Sequence, residues 1–102
     1  MGWREIYDQR RTSAKRALKA VRRGARVFVG SACAEPRALV SALLQRADDL
    51  HDVEILHFVT LGQADYTDKR FDRRFRHNAF FVGPATREAV HQARADYTPI
   101  FM

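Results

Sequence analysis

"ARVFVGSACAEPRALVSALL", residues 25–44, passes from a β-branched and aromatic run, through a glycine and a patch of small residues, into a proline-led amphipathic segment. Val27, Phe28 and Val29 ending at Gly30 have the form of a buried strand. Pro36 suits the first turn of a helix, where its missing N–H costs nothing, and Leu39, Val40, Leu43, Leu44 and Ala47 recur along one side. A strand feeding a helix is the first half of a crossover, and the chain repeats the arrangement. "ADDLHD" (47–52) closes the helix, "VEILHFVT" (53–60) reads as a second strand, and "LGQADYTD" (61–68) follows as a loop. "KRFDRRFR" (69–76) sets Phe71 and Phe75 four apart, the spacing of a short amphipathic helix. "NAFFVG" (78–83) reads as a third strand, and "PATREAVHQARA" (84–95) as a helix opened by Pro84 with Ala89, Val90 and Ala93 inward. Upstream, Thr12 or Ser13 caps a helix with Ala14, Ala17, Leu18 and Val21 on its apolar side, and Gly24 stops it.

Strands alternating with helical segments of this length predict an α/β fold: a mostly parallel sheet with flanking helices, joined by right-handed crossovers. With 102 residues the chain holds one domain. Three or four strands are few for a sheet covered on both faces, and "DYTPIFM" (96–102) is apolar. The expectation is a chain cut short or completed by a partner.

The formal net charge is +6, and fifteen of the eighteen basic residues are Arg. The excess sits in residues 1–26, where seven Arg and two Lys face only Glu5 and Asp8. That segment is either a solvated face or a nucleic-acid surface, so a small basic nucleic-acid-binding module stands as one alternative reading and a noncatalytic truncated remnant as the other. No apolar run is long enough to cross a bilayer and the N-terminus lacks a signal-peptide core, which makes a cytoplasmic chain the default. One cysteine, Cys33, cannot form an internal disulfide and agrees with a reducing compartment.

In open α/β sheets ligands bind beyond the carboxyl ends of the strands. "GSACAEP", "LGQADY" and "GPATR" occupy those places here. Gly30, Ser31, Ala32 and Cys33 are small enough to let a substrate approach the backbone, although a strand-to-helix turn wants small residues anyway. Cys33 lies near a helix N-terminus, and His51, His57, His77 and His91 offer possible bases; no spacing pairs any of them with the thiol, and a packed cysteine is the competing reading. The same histidines lack metal-ligand spacing. Glu35, Asp48, Asp49 and Asp52 read as cap and loop acids. No P-loop or G-x-G-x-x-G occurs.

The motifs "VFVGSACAEP", "FRHNAFFVG" with the following "TREAV", and "ADYTPIF", in that order, resemble the N-terminal portion of the acetyl-CoA hydrolase/transferase family, which includes 4-hydroxybutyrate CoA-transferases. The resemblance covers most of the chain. It implies part of a CoA-transferase-like domain of the NagB/RpiA/CoA-transferase type, the first part of a protein built from two related halves. It also implies CoA exchange between an acyl-CoA and a carboxylate or water through a glutamyl-CoA thioester. The reacting glutamate belongs to the second half, and no catalytic residue is assigned here. By the same resemblance Gly30, Ser31, Ala32, Cys33, Glu35 and Pro36 form a loop near the substrate, while Gly62 and Gln63 with Arg76, His77 and Asn78 border the acyl pocket. Coenzyme A is then a substrate, with no permanently bound cofactor and no metal. The implied partners are acyl-CoA and carboxylate substrates, the remainder of the polypeptide, and further copies of the full protein; neither membrane nor nucleic acid is expected. One departure is visible: Ala93 stands where the family has a glycine before "ADYTPIF".

Overall fold

The computed structural model describes residues 1–62 and 64–101. Four short strands make one sheet in the order β1-β2-β3-β4: β1 Arg26–Phe28, β2 Val53–His57, β3 Phe75–Ala79 and β4 Ala95–Tyr97. All three pairings are parallel, with Val27 opposite Ile55, Ile55 opposite His77, and His77 opposite Ala95. The helices are α1 Trp3–Arg10, α2 Ala14–Ala17, α3 Arg37–Gln45 and α4 Pro84–His91. The α/β class read from the sequence holds.

A sheet whose strands follow chain order, with every crossover right-handed, sends its helices to one face. Burial along the strands follows that rule. On the helix side Val53, Ile55 and His57 of β2, Phe75, His77 and Ala79 of β3, and Ala95 of β4 are all buried. The other side carries exposed Arg26, Phe28, Arg76 and Asp96. The helices therefore gather on a single face instead of flanking both. On the open face Phe28, Phe58 and Phe80 form a row of edge-to-face contacts, with ring centroids 6.1 and 5.3 Å apart. Next to them Arg76 holds Asp96 across the β3–β4 pair through two bonds of 2.8 and 2.7 Å.

The core joins Val29, Leu43, Leu50, Val53, Ile55, Tyr66 and Phe75, with Leu18, Val21, Val40 and Leu44 packed around them. Arginines close the helix ends. The Arg74 guanidinium donates to the carbonyls of Ala47, Asp48 and Leu50 at 3.0, 2.9 and 3.3 Å, the first of which also accepts the Leu50 amide. Arg46 donates likewise to the carbonyls of Leu18 and Val21, and Arg94 to that of Thr67. Arginines in the neutral part of the chain thus serve its own backbone.

Several boundaries differ from the sequence reading. The third strand starts at Phe75 instead of residue 78, because Phe75 and His77 alternate inward and pair with β2. The segment read as an amphipathic helix becomes a single 3-10 turn, Lys69–Phe71, before the chain straightens, and Phe71 meets Phe75 edge-on at 5.6 Å. The helix expected from Ser13 is one α-turn, capped by the Ser13 hydroxyl at 3.2 Å and finished by a 3-10 turn over Leu18–Ala20. Residues 95–97, assigned to a helix end and a tail, form the fourth strand. α1, unassigned from the sequence, has no buried residue.

Ala93, where the resemblance implies a glycine, has φ +57°, the left-handed region that a Cβ disfavours. The turn from α4 into β4 needs that conformation. Ala93→Gly is therefore expected to stabilise the chain by about 1 kcal/mol, read as a raised urea midpoint with an unchanged slope.

Candidate functional site

The carboxyl ends of β1 and β2 are stitched together by the loop after β1. The Ser31 hydroxyl accepts the amide protons of Phe58 (3.0 Å) and Val59 (3.3 Å), and the Ala32 amide donates to the Val59 carbonyl at 2.8 Å. Gly30 is needed for this approach: a Cβ there would stand 2.8 Å from the Ala34 carbonyl oxygen, and backbone cannot give way cheaply. Ala32 at φ +52° and Ala64 at φ +51° place a left-handed non-glycine residue in each of the two adjoining loops. Strained residues of this kind persist where the surrounding structure fixes them, and they concentrate at functional sites.

Between these loops and α3 lies a cleft of about 420 Å³. Val40, Ser41 and Leu44 of α3 line it on the helix side, the buried Ala64 and Tyr66 form its floor, and Glu35, Gly62 and Asp65 line it from the two loops. Glu35 is fixed across the loops, since the Thr60 hydroxyl donates to its Oε2 at 2.8 Å and itself accepts the Gly62 amide at 3.0 Å. A methyl group at Gly62 would stand 3.1 and 3.2 Å from the two carboxylate oxygens. The missing side chain lets the carboxylate lie against the loop.

Beneath the floor is a buried polar cluster. Tyr66, His57 and His77 are each about 1% exposed. The Tyr66 hydroxyl is 3.3 Å from His57 Nδ1, the two imidazoles stack with centroids 4.4 Å apart, and Tyr66 and His77 rings are 5.1 Å apart. Among the described residues, His57 Nε2 and both nitrogens of His77 have no hydrogen-bond partner. Burial lowers the His57 pKa, with the Glu35 charge partly opposing it. Burial, and then the neighbouring His57, push His77 down to about 3; the Ile55 carbonyl works weakly against this without hydrogen-bond geometry. The Tyr66 phenol rises above its ordinary range, chiefly through burial and then through the Glu35 charge. At neutral pH the cluster is two uncharged imidazoles and a protonated phenol under a carboxylate. Such a set does not supply an activated nucleophile.

The residues picked out from the sequence separate into three groups. Gly30, Ser31, Ala32, Glu35, Pro36 and Gly62 belong to the two loops at the cleft, Ser31 acting as their tie and Pro36 as the cap of α3. Cys33 is exposed on the turn Ala32–Ala34, and no described histidine bonds to it. Arg76 and Asn78 project from the open face, Arg76 onto Asp96 and Asn78 accepting from the Thr98 hydroxyl at 2.8 Å, while His77, between them in sequence, points the opposite way into the buried cluster. Gln63 lies outside the described residues. Thr60 and Tyr66 were not singled out, and His57 was only one of four candidate bases. Their signal is the alternation of β2, which puts His57 inward at the strand end, next to a loop rich in polar residues. Among the described residues no three His, Cys, Asp or Glu side chains converge as for a metal ion, and no helix is long and apolar enough to cross a membrane.

Comparison with known proteins gives this arrangement a setting. A sequence model of the acetyl-CoA hydrolase/transferase N-terminal domain matches residues 1–102. A 4-hydroxybutyrate coenzyme A transferase of Clostridium kluyveri is 44% identical over 101 residues, 99% of this chain and 24% of that protein. A succinyl-CoA:acetate/propanoyl-CoA:succinate CoA transferase of Fasciola hepatica is 35% identical over 81 residues, 78% of this chain and 16% of that protein. The chain thus spans about a quarter or less of the length of these relatives. The crystal structure of RipA from Yersinia pestis superposes with a TM-score of 0.88 at 24% identity, over 99% of this chain and 26% of that one, which shows a shared fold.

The two imidazoles predict how stability depends on pH. Their folded pKa values lie below the ordinary 6.5, so the unfolded chain binds more protons between that value and the folded one. Their contribution is complete above pH 6.5 and disappears as pH falls toward 3. For His77 alone the loss by pH 4 is on the order of 3 kcal/mol. Urea midpoints measured from pH 7 to pH 4 should fall accordingly, and His77→Phe should flatten the slope.

Proposed function

This chain belongs to the acetyl-CoA hydrolase/transferase family, and from that membership we propose that it supplies the N-terminal, substrate-holding part of a CoA-transferase or acetyl-CoA hydrolase that moves CoA between an acyl-CoA and a carboxylate or water. The observation that carries the reading is the cleft at the carboxyl ends of β1 and β2. It is lined by Glu35 from the loop after β1, by Leu61, Gly62 and Tyr66 from the loop after β2, and by Val40 and Leu44 of α3, and it sits where open α/β sheets bind ligands. The small Gly62 and Ala64 let a thioester approach the backbone there, and Val40 and Leu44 face an acyl chain.

In this proposal the attacking carboxylate is a glutamate outside these 102 residues. Its oxygen adds to the acyl-CoA carbonyl and expels the CoA thiolate, leaving a mixed anhydride. The thiolate attacks the glutamyl carbonyl and releases the first carboxylate, giving the glutamyl-CoA thioester. A second carboxylate, or water, then takes its turn at that thioester. Glu35 has a different task, because its Oε2 is engaged by Thr60 and its neighbour is a phenol with no proton to spare near neutrality. The whole enzyme is expected to work as an oligomer with CoA as a passing substrate.

Borohydride trapping tests the assignment. When the polypeptide that continues this chain is incubated with acyl-CoA and reduced, peptide mass spectrometry should find the reduced glutamate outside residues 1–102. Glu35→Gln should retain that adduct. Reduction at Glu35 would contradict the proposed division of labour.

A further inference from the structure

None of α1 is buried, and none of its side chains joins the core or the residues packed against it. Yet the helix is amphipathic. Trp3, Ile6 and Tyr7 share one side at i, i+3 and i+4, with Arg10 at i+7 closing the row, while Arg4, Glu5, Asp8 and Gln9 occupy the other. Trp3 is 72% exposed and Tyr7 58%. Within the chain the helix is held by its own first turn, where the Gly2 amide donates to Glu5 Oε2 at 3.1 Å and Arg4 Cζ lies 5.1 Å from the centre of the Trp3 ring. A lone helix of two turns is marginal in water. The superposition on RipA nonetheless takes in 99% of this chain, α1 included, in a protein of which the matched part is 26%. A helix that keeps its place without burying a residue takes that place from contacts made outside residues 1–102.

The apolar side of α1 offers on the order of 400 Å², against the roughly 800 Å² per partner that a stable interface between separate proteins buries. A contact of that size suffices within one polypeptide, where the partner surface is tethered and association costs little. It falls short between separate copies. Charge narrows the partner further: among the described residues no Arg or Lys of residues 1–26 forms an ion pair, and Arg10 and Arg11 stand at the end of the apolar row.

We propose that α1 docks through Trp3, Ile6 and Tyr7 into an apolar groove, edged by carboxylates opposite Arg10 and Arg11, on the part of the same polypeptide that follows residue 102. The inference rests on the reading of this chain as the N-terminal part of a longer enzyme. α1 is then a clasp. It leads through Thr12 and Ser13 into α2, which packs against α3 on the helix side of the cleft, so docking ties that side to the polypeptide that carries the reacting glutamate.

Photo-crosslinking in the polypeptide that continues this chain tests it. With p-benzoylphenylalanine in place of Tyr7, in oligomers reassembled from isotopically light and heavy copies, the cross-linked peptides should join position 7 to residues beyond 102 and be all light or all heavy. Mixed peptides would overturn the proposal by making a second copy the occupant, and cross-links confined to residues 1–102, or none, would overturn it too. Hydrogen exchange supplies a second measurement. The amides of Tyr7–Arg11 should be protected, and Trp3→Ala or Ile6→Asp should speed their exchange about tenfold or more, as for loss of an anchoring aromatic or aliphatic contact, with the β2 amides unchanged. Arg10→Glu should act in the same direction, whereas Arg4→Ala, on the other side of the helix, should have no effect. Unprotected α1 amides in the unaltered polypeptide, or equal effects from the two sides, would overturn the docking. A borohydride-trapped glutamate beyond residue 102 would then leave the enzyme reading standing, and the lack of any such adduct would overturn that reading instead.

Discussion

The Ser31 hydroxyl, accepting two amide protons from the end of β2, is the interaction on which the working edge of this chain depends. It fastens the loop after β1 to the neighbouring strand at 3.0 and 3.3 Å. With that loop fixed, Ala32 is held in a left-handed conformation, Gly30 passes under the Ala34 carbonyl, and Glu35 comes within reach of Thr60. Each of these features is weak alone. Together they turn a strand-to-helix connection into a wall with one carboxylate set at a defined place.

The sheet imposes a second constraint. Four parallel strands in chain order put the helices on one side, and the side chains that alternate toward them include two histidines as well as Ile55 and Val53. Burying His57 and His77 costs hydrogen bonds, since three ring nitrogens go unpaired. The rings remain neutral because the surroundings cannot support their charge. That cost falls beside the cleft, whose lining shares Tyr66 with the cluster. The left-handed Ala32 and Ala64 and the unpaired imidazole nitrogens all lie at or beside this cleft.

Much of the architecture was legible in the sequence. Val27–Val29 into Gly30, Val53–His57, and the two proline-led helices announced parallel crossovers, and the structure has them. The boundaries near residues 69–80 were not legible, because Phe71 and Phe75 at helical spacing suit an edge-to-face contact across a turn equally well. The same ambiguity affected the site. "GSACAEP" and Gly62 were visible as small residues after strands, and Glu35 came through the family resemblance. "RHN" looked like one unit, yet strand alternation sends Arg76 and Asn78 to one face and His77 to the other. Thr60 and Tyr66 owe their place to the fold of the second loop, which has no periodicity to read. The arginine excess in residues 1–26 suggested a solvated face or a nucleic-acid surface; outside that segment Arg46, Arg74 and Arg94 donate to backbone carbonyls of the chain itself.

The central claim is that a CoA thioester meets this chain at the edge where the loop after β1 is tied to β2. Amide chemical-shift mapping of the isotopically labelled chain with acetyl-CoA addresses it most directly. The account predicts that the largest shifts fall at Gly30–Glu35 and at Thr60–Tyr66, with the open-face strand residues Arg26 and Arg76 little changed. Shifts confined to the basic segment before residue 26, or none at millimolar ligand, would contradict it.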